Sequence, residues 1–164
     1  MRYQPKQSPV SRQIASLVRR FPALVRLPYL IYQRARPRYT LGAAAVILNE
    51  SGAVLLVEHV YHPRFAWGLP GGWVDFDEDP AVGIVRELHE ELTLSARVSR
   101  VLHVAKTARS HIDIAYLCVA ESSVGKLSHE LLAYRWAAES DLPLLKPFHA
   151  RAIELARQDL RSAG

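Results

Sequence analysis

The sequence predicts an α/β fold: a mixed β-sheet held between helices and preceded by a basic helical arm. Three observations carry this expectation. Apolar runs of strand length alternate with amphipathic helical stretches along residues 40–164, as a sheet layered between helices requires. Residues 1–40 hold nine of the 21 Lys and Arg side chains and no Asp or Glu, which sets them apart as a separate segment. Near the middle of the chain, a Gly-Gly bend leads into a glutamate-rich helical stretch.

The expected division is a basic, helical extension over 1–39 and one folded domain over 40–164, long enough to bury a core of its own. The net charge of +5 belongs to the arm, because the other residues carry 12 basic against 16 acidic side chains. A mildly acidic domain suits a metal-dependent site, and the basic arm is a separate matter. No run of 18 apolar residues occurs, so no transmembrane helix is expected. Cys118 is the lone cysteine, which excludes an intrachain disulfide and makes a reducing, cytoplasmic location the expectation.

Within the arm, Ile14, Leu17, Val18, Phe21, Leu24 and Val25 recur at helical spacing, with Arg12, Arg19, Arg20 and Arg26 at other positions. Pro22 can begin a second helical segment, and Pro28 should kink or end it. Arg36-Pro37-Arg38 marks the entry to the domain. So apolar a stripe needs covering. Packing on the domain or on a homodimer mate leads; an anionic membrane surface and an RNA backbone are the alternatives.

The domain opens with a strand over 41–48 and a turn at Asn49-Glu50-Ser51-Gly52; residues 53–59 return as its hairpin partner. Residues 67–74 read as one short strand running into the glycine bend. A helix follows at 80–92, since Pro80 suits the first helical position with Asp79 as cap. Two strands at 98–106 and 111–120, a last strand at 134–137 and an amphipathic helix at 147–161 complete the domain. Cys118 falls in the alternating strand and reads as a buried, inert thiol.

On the helix at 80–92, Val85, Leu88 and Leu92 form the buried stripe, while Glu87, Glu90 and Glu91 stand at i, i+3 and i+4 on a neighbouring face. Like charges so close repel, and more strongly when desolvated. A hard divalent cation is the usual remedy, and oxygen-only ligands point to Mg2+ or Mn2+. A solvated acidic face would explain the glutamates singly. It would not explain Gly72, then five residues, Glu78, then seven residues, and Arg86-Glu87-Leu88-His89-Glu90-Glu91-Leu92-Thr93-Leu94.

This pattern resembles the Nudix box of the Nudix hydrolases, matching every fixed position except one, where Thr93 stands in place of glycine. The resemblance implies an α/β/α sandwich and hydrolysis of a nucleoside diphosphate linked to another group, by water attacking phosphorus. By box position, Glu87, Glu90 and Glu91 should bind metal together with the carbonyl of Gly72, while Glu78 and Arg86 brace the site. The general base is either a box glutamate, Glu87 or Glu91, or the distal Glu130, six residues before Trp136. Thr93 should end the helix differently by a residue, because a β-branched side chain disfavours the left-handed turn.

The leaving group is less legible. The sequence signatures of coenzyme A, ADP-ribose and NADH members of the family are absent. Trp67 and Arg109 are named as substrate contacts, and Tyr61, Phe65 and Trp73 are further aromatics for stacking on a base. The expected partner is a small nucleotide diphosphate. The alternative is a non-catalytic Nudix domain binding nucleotide or RNA, which expects a missing box carboxylate; all four glutamates are in place. An isoprenoid-diphosphate isomerase would need a cysteine in the site, and Cys118 lies well beyond the box.

Overall fold

The computed structural model describes residues 9–21, 23–36, 38–61 and 64–163; of residues 9, 11–15, 23–25, 27, 33, 35 and 163 only the backbone is described. It divides into two units, Met1–Arg38 and Tyr39–Gly164. The first contains α1 (Pro9–Arg20) and α2 (Ala23–Ala35). Among the stripe positions, Leu17 and Phe21 are exposed and Val18 is half-buried; the side chains of Ile14, Leu24 and Val25, and the expected breaks at Pro22 and Pro37, lie outside the described residues. The helix does not end at Pro28 but continues to Ala35. Proline removes a single amide donor there, and the flanking residues keep the helical path.

The second unit is built on β1 (Thr40–Ile47), a run without polar side chains after Thr40. Its odd positions Ala43, Ala45 and Ile47 enter one core with Ile84, Leu88 and Leu92 of α3 (Pro80–Leu92). Its even positions Ala44 and Val46 enter another with Phe148, Ala152, Ile153 and Ala156 of α4 (Pro147–Ala163). Burial on both faces is why this strand reads as continuous rather than alternating. β2 (Val54–His59) divides in the same way, with Leu55 and Val57 on the α3 side and Val54 and Leu56 on the α4 side. Each fully buried Ile84, Leu88 or Leu92 contributes on the order of 1.5–3 kcal/mol. The result is an α/β/α sandwich.

The strands form two sheets, of which the four-stranded one is mixed, as expected. The first has the order β4-β1-β6-β5, with β4 (Gly71–Trp73), β6 (His111–Ala120) and β5 (Ala96–Ala108); β1 and β6 run parallel and the other pairs antiparallel. The second has the order β3-β2-β7, with β3 (Trp67–Gly68) and β7 (Leu131–Ala137). So β1 and β2 are not hairpin partners. They meet only at the Leu48–Val54 bridge and the turn, where Asn49 Oδ1 accepts from Ser51 N and Ala53 N. β6 runs along all of β1 on one edge, and β4 takes Gly42–Ala44 on the other. Residues 67–74 likewise become two short strands, one in each sheet, linked by Leu69-Pro70.

The helix at 80–92 forms as its cap dictates: Asp79 Oδ1 accepts from Ala81 N at 2.8 Å, with Pro80 at the first turn. Its end overturns the expectation for Thr93, which takes the left-handed conformation (φ 48°, ψ 38°) that glycine would take. That costs about 1–2 kcal/mol for a residue with a Cβ. Thr93 Oγ1 donates to Lys126 O at 3.0 Å, a bond that offsets about 0.5–1.5 kcal/mol of this. Among the described residues no helix is long and apolar enough to cross a membrane.

Gly71 is the tightest point of the fold. Its φ is +138°, and a Cβ there would lie 2.2 Å from Ala43 O. Gly52, also at positive φ (+77°), has open space around it. Gly71→Ala is therefore expected to lower unfolding stability by about 2 kcal/mol or more, through clash plus strain, and Gly52→Ala by only about 1 kcal/mol, through strain alone. Urea denaturation of the two variants checks this, and equal losses would contradict the geometry.

Candidate active site

The site is assembled where β4 passes the C-terminal half of α3. Arg86, on α3, organises it. Its Nε and Nη2 donate to the two carboxylate oxygens of Glu78 at 2.9 and 3.0 Å, a bidentate pair. Its Nη1 donates to Glu87 Oε1 at 2.9 Å and Glu90 Oε2 at 3.0 Å, and its Nη2 also reaches Trp73 O at 3.1 Å. Glu78 is tied further to the loop by Asp75 N, which donates to Oε2 at 3.1 Å. Arg86 beside Glu78 holds that carboxyl below the usual carboxylate range, helped by the Asp75 amide, and the guanidinium's own pKa is raised in return.

Glu91 is held differently. It is buried, and its Oε2 accepts from Gly71 N at 3.0 Å. Burial pushes its carboxyl up to about 7; the Gly71 amide opposes this, and the charges of Glu87, Glu130 and Glu90 add to it. The Glu87 carboxyl is also raised, first by burial, against the pull of Arg86. Gly72 makes room for Glu87, since a Cβ there would lie 2.6 Å from Glu87 Oε2.

Glu130, at the entry to β7, lines the same cavity as these glutamates, and its charge acts on Glu87 and Glu91. The loop before it is pinned to the helix, with Ser128 N donating to Glu91 O at 2.8 Å, and Val60 N donates to Glu130 O at 3.0 Å. Glu87, Glu90, Glu91, Glu130 and Gly72 all line one cavity of about 1370 Å³.

These residues fit a divalent cation by chemistry and by charge. One guanidinium serves three carboxylates, and two more face the same space. Glu87 Oε2, Glu90 Oε1 and Glu91 Oε1 take no part in the bonds above, and these are the oxygens left for a cation. Among the described residues no three acidic, histidine or cysteine side chains converge on one point. Glu87 and Glu90 are turned to Arg86, and Glu91 to the Gly71 amide.

The two substrate contacts named from sequence do not line the cavity. Trp67 is half-buried in the three-stranded sheet, with Arg135 4.7 Å over its ring. Arg109 is exposed on the turn between β5 and β6. The cavity is lined instead by Trp73, Tyr61, His111 and Asp113. Asp113 was missed, although His111-x-Asp113 on a strand is the spacing that puts two side chains on one face. Cys118 is buried, its thiol pushed up to about 12 by burial, as an inert core residue should be.

Comparison with known proteins agrees with this geometry. The family described as NUDIX domain matches residues 38–158. A MutT-like protein of Streptomyces ambofaciens is 28% identical over 107 residues, spanning 65% of this chain and 68% of that protein. A candidate 8-oxo-dGTP diphosphatase of Bacillus subtilis is 33% identical over 109 residues, spanning 65% and 71%. Among solved structures, an ADP-ribose pyrophosphatase from Streptococcus suis superposes with a TM-score of 0.61 at 27% identity, covering 74% of this chain and 93% of that one.

The raised Glu91 carboxyl makes a prediction for the metal-free protein. Its folded pKa, about 7, exceeds the unfolded value of about 4.3. Its contribution to stability is therefore complete below about pH 4.3 and lost as pH rises through about 7. Glu91→Gln keeps an acceptor for the Gly71 amide and removes the titration. In EDTA, the variant should melt higher than wild type at pH 8, with the gap closing towards pH 5. Parallel melting curves across that range would show that Glu91 is not desolvated.

Proposed function

The chain belongs to the NUDIX domain family, and from that premise we propose a divalent-metal-dependent hydrolase that cleaves a nucleoside diphosphate linked to another group. Phosphoanhydride hydrolysis of the Nudix pyrophosphohydrolase type is the class to which the family and its pyrophosphatase relatives assign it. The observation that supports the finer reading is the set of carboxylate oxygens around the Gly71-Gly72 bend. They carry more negative charge than Arg86 balances, in a cavity roomy enough for a nucleotide.

Glu87, Glu90 and Glu91, with the Gly72 carbonyl, hold Mg2+ or Mn2+ in this reading. Such an ion supplies charge neutralisation for the diphosphate and polarises the attacking water. Glu130, in the same cavity, takes the proton as water oxygen bonds to phosphorus and the anhydride P–O bond breaks, so that the leaving phosphate departs with the electron pair. If Glu130 does not, Glu87 or Glu91 is the base. Glu78 and Arg86 keep the carboxylates in place and touch no substrate. The relatives' names favour a nucleoside triphosphate or an ADP-ribose-like diphosphate as substrate class. The lone buried thiol supports a cytoplasmic location.

The arm is proposed as a homodimer contact. Leu17, Phe21, Leu30 and Ile31 are exposed, and a second copy would cover them more fully than solvent permits. Deleting residues 1–38 should convert a dimer to a monomer by light scattering. An unchanged mass with lost liposome binding would favour a membrane surface, and lost RNA binding would favour a nucleic-acid contact.

The catalytic assignment is tested on a nucleotide panel with Mg2+, reading released phosphate and pyrophosphate. Glu91→Gln should lower kcat by roughly 10²-fold or more. Glu130→Gln should lower kcat with cation affinity nearly unchanged. Near-normal turnover of Glu91→Gln at saturating Mg2+ would overturn the metal reading, and an unaltered Glu130→Gln would move the base to the box.

A further inference from the structure

The face of the four-stranded sheet beside the box carries a second constellation. In the strand register, Gly42 of β1 lies opposite Trp73 on one side and Asp113 on the other, and Asp113 lies opposite Ala105 of β5. Residues paired across a sheet share a face. Ala44 is flanked in the same way by Gly71 and Ala115. Ala115 is fully buried in the core, whereas Gly42, Ala44 and Ala105 line the cavity and make a floor of Gly and Ala, with an indole on one side and a carboxylate on the other.

Each wall is fixed. Trp73 belongs to neither core and is 62% exposed, its ring tilted against His111 at 4.8 Å. His111 Nδ1 lies 2.7 Å from Thr40 Oγ1, and its Nε2 lies 3.1 Å from Asp113 Oδ1. Thr107 Oγ1 donates to Asp113 Oδ2. A Cβ on Gly42 would stand 2.3 Å from Asp113 Oδ1, so only glycine lets the carboxylate lie over β1. The cavity that holds the glutamates also holds Trp73, His111 and Asp113.

We propose that this floor is a base slot selective for guanine nucleotides, with Trp73 stacking on the ring and Asp113 reading its edge; the proposal rests on the nucleotide reading above. Stacking on an indole accepts any base. Selection comes from Asp113, an acceptor-only group with about four lone-pair sites, of which His111 and Thr107 use two. Guanine offers two adjacent donors, N1–H and the 2-amino group. Adenine and cytosine place a ring acceptor beside their amino group, and uracil's N3–H lies between two carbonyls, so each would set an oxygen or nitrogen lone pair against the carboxylate. A site built to hydrogen-bond a donor pair rejects rings that lack it. His111 and Thr107 are positioning residues.

Binding of GMP, AMP, CMP and UMP in EDTA, by calorimetry, separates base recognition from catalysis. GMP should bind at least about tenfold tighter than the other three. Asp113→Asn should erase that advantage while leaving AMP binding and the melting temperature near wild type. Trp73→Ala should weaken GMP by about tenfold or more, and Trp73→Phe should restore most of it. Equal affinity for the four monophosphates, or an Asp113→Asn loss shared by all four, would overturn the slot. In the Mg2+ assay, hydrolysis without base preference also overturns the slot and leaves the hydrolase reading intact. A GMP preference in a protein that hydrolyses nothing supports the slot and removes the hydrolase reading.

Discussion

The bidentate pair between Arg86 and Glu78 holds the rest of the site in register. Five donors on one plane let Arg86 reach the loop through Glu78, the helix face through Glu87 and Glu90, and β4 through the Trp73 carbonyl. A lysine has no planar fork and could not serve these directions at once. The pair also decides which oxygens are spent. Arg86 takes one oxygen from each of Glu87 and Glu90 and the Gly71 amide takes one from Glu91, which leaves one oxygen of each carboxylate outside these bonds.

Holding them there opposes stability. Glu87 and Glu91 are half-buried and buried, and both carboxyls are raised above their ordinary range. The unfolded chain would solvate these charges freely. What keeps α3 in place is the apolar side of the same helix, where Ile84, Leu88 and Leu92 are fully buried against both sheets. The helix thus spends part of its hydrophobic gain on a charged face, as functional sites commonly do. α4, on the other core, also buries a charged side chain, Arg157, whose Nη2 donates to Ala137 O at 3.5 Å.

Sequence made the local features legible. Asp79, Pro80 and the stripe to Leu92 bounded α3 because cap, first turn and period all lie within a few residues of one another. The uninterrupted β1 run marked a strand covered on both faces. Of the strand partners only the β5–β6 hairpin, closed by a short turn, was legible; β1 pairs with β4 and β6 and β2 with β7, all further along the chain, so the turn at Asn49–Gly52 looked like a hairpin, yet β1 and β2 went to separate sheets. Trp67 and Trp73 illustrate the same limit. Six residues apart and equally aromatic, they part company because one lies under Arg135 in the three-stranded sheet and the other stands at the open edge of the four-stranded one. Thr93 was misjudged because its strain is offset by Lys126, 33 residues on.

β4 explains how such a small element joins two tasks. Its three residues each give a backbone or spatial concession to a different group: the Gly71 amide to Glu91, the missing side chain of Gly72 to Glu87, and the Trp73 carbonyl to Arg86. Trp73 also lies opposite Gly42 with its ring against His111, so the proposed base slot begins one residue from Gly72, the proposed cation ligand. A base seated against the ring would fix the nucleotide relative to the same strand that orients the carboxylates, with no hinge between them. Binding energy from the base can then be used to place the diphosphate, which is how remote contacts come to serve the reacting centre. Tyr61, His103 and Phe148 line the same cavity, and in the proposed reading they are apolar and aromatic surface for the rest of the substrate.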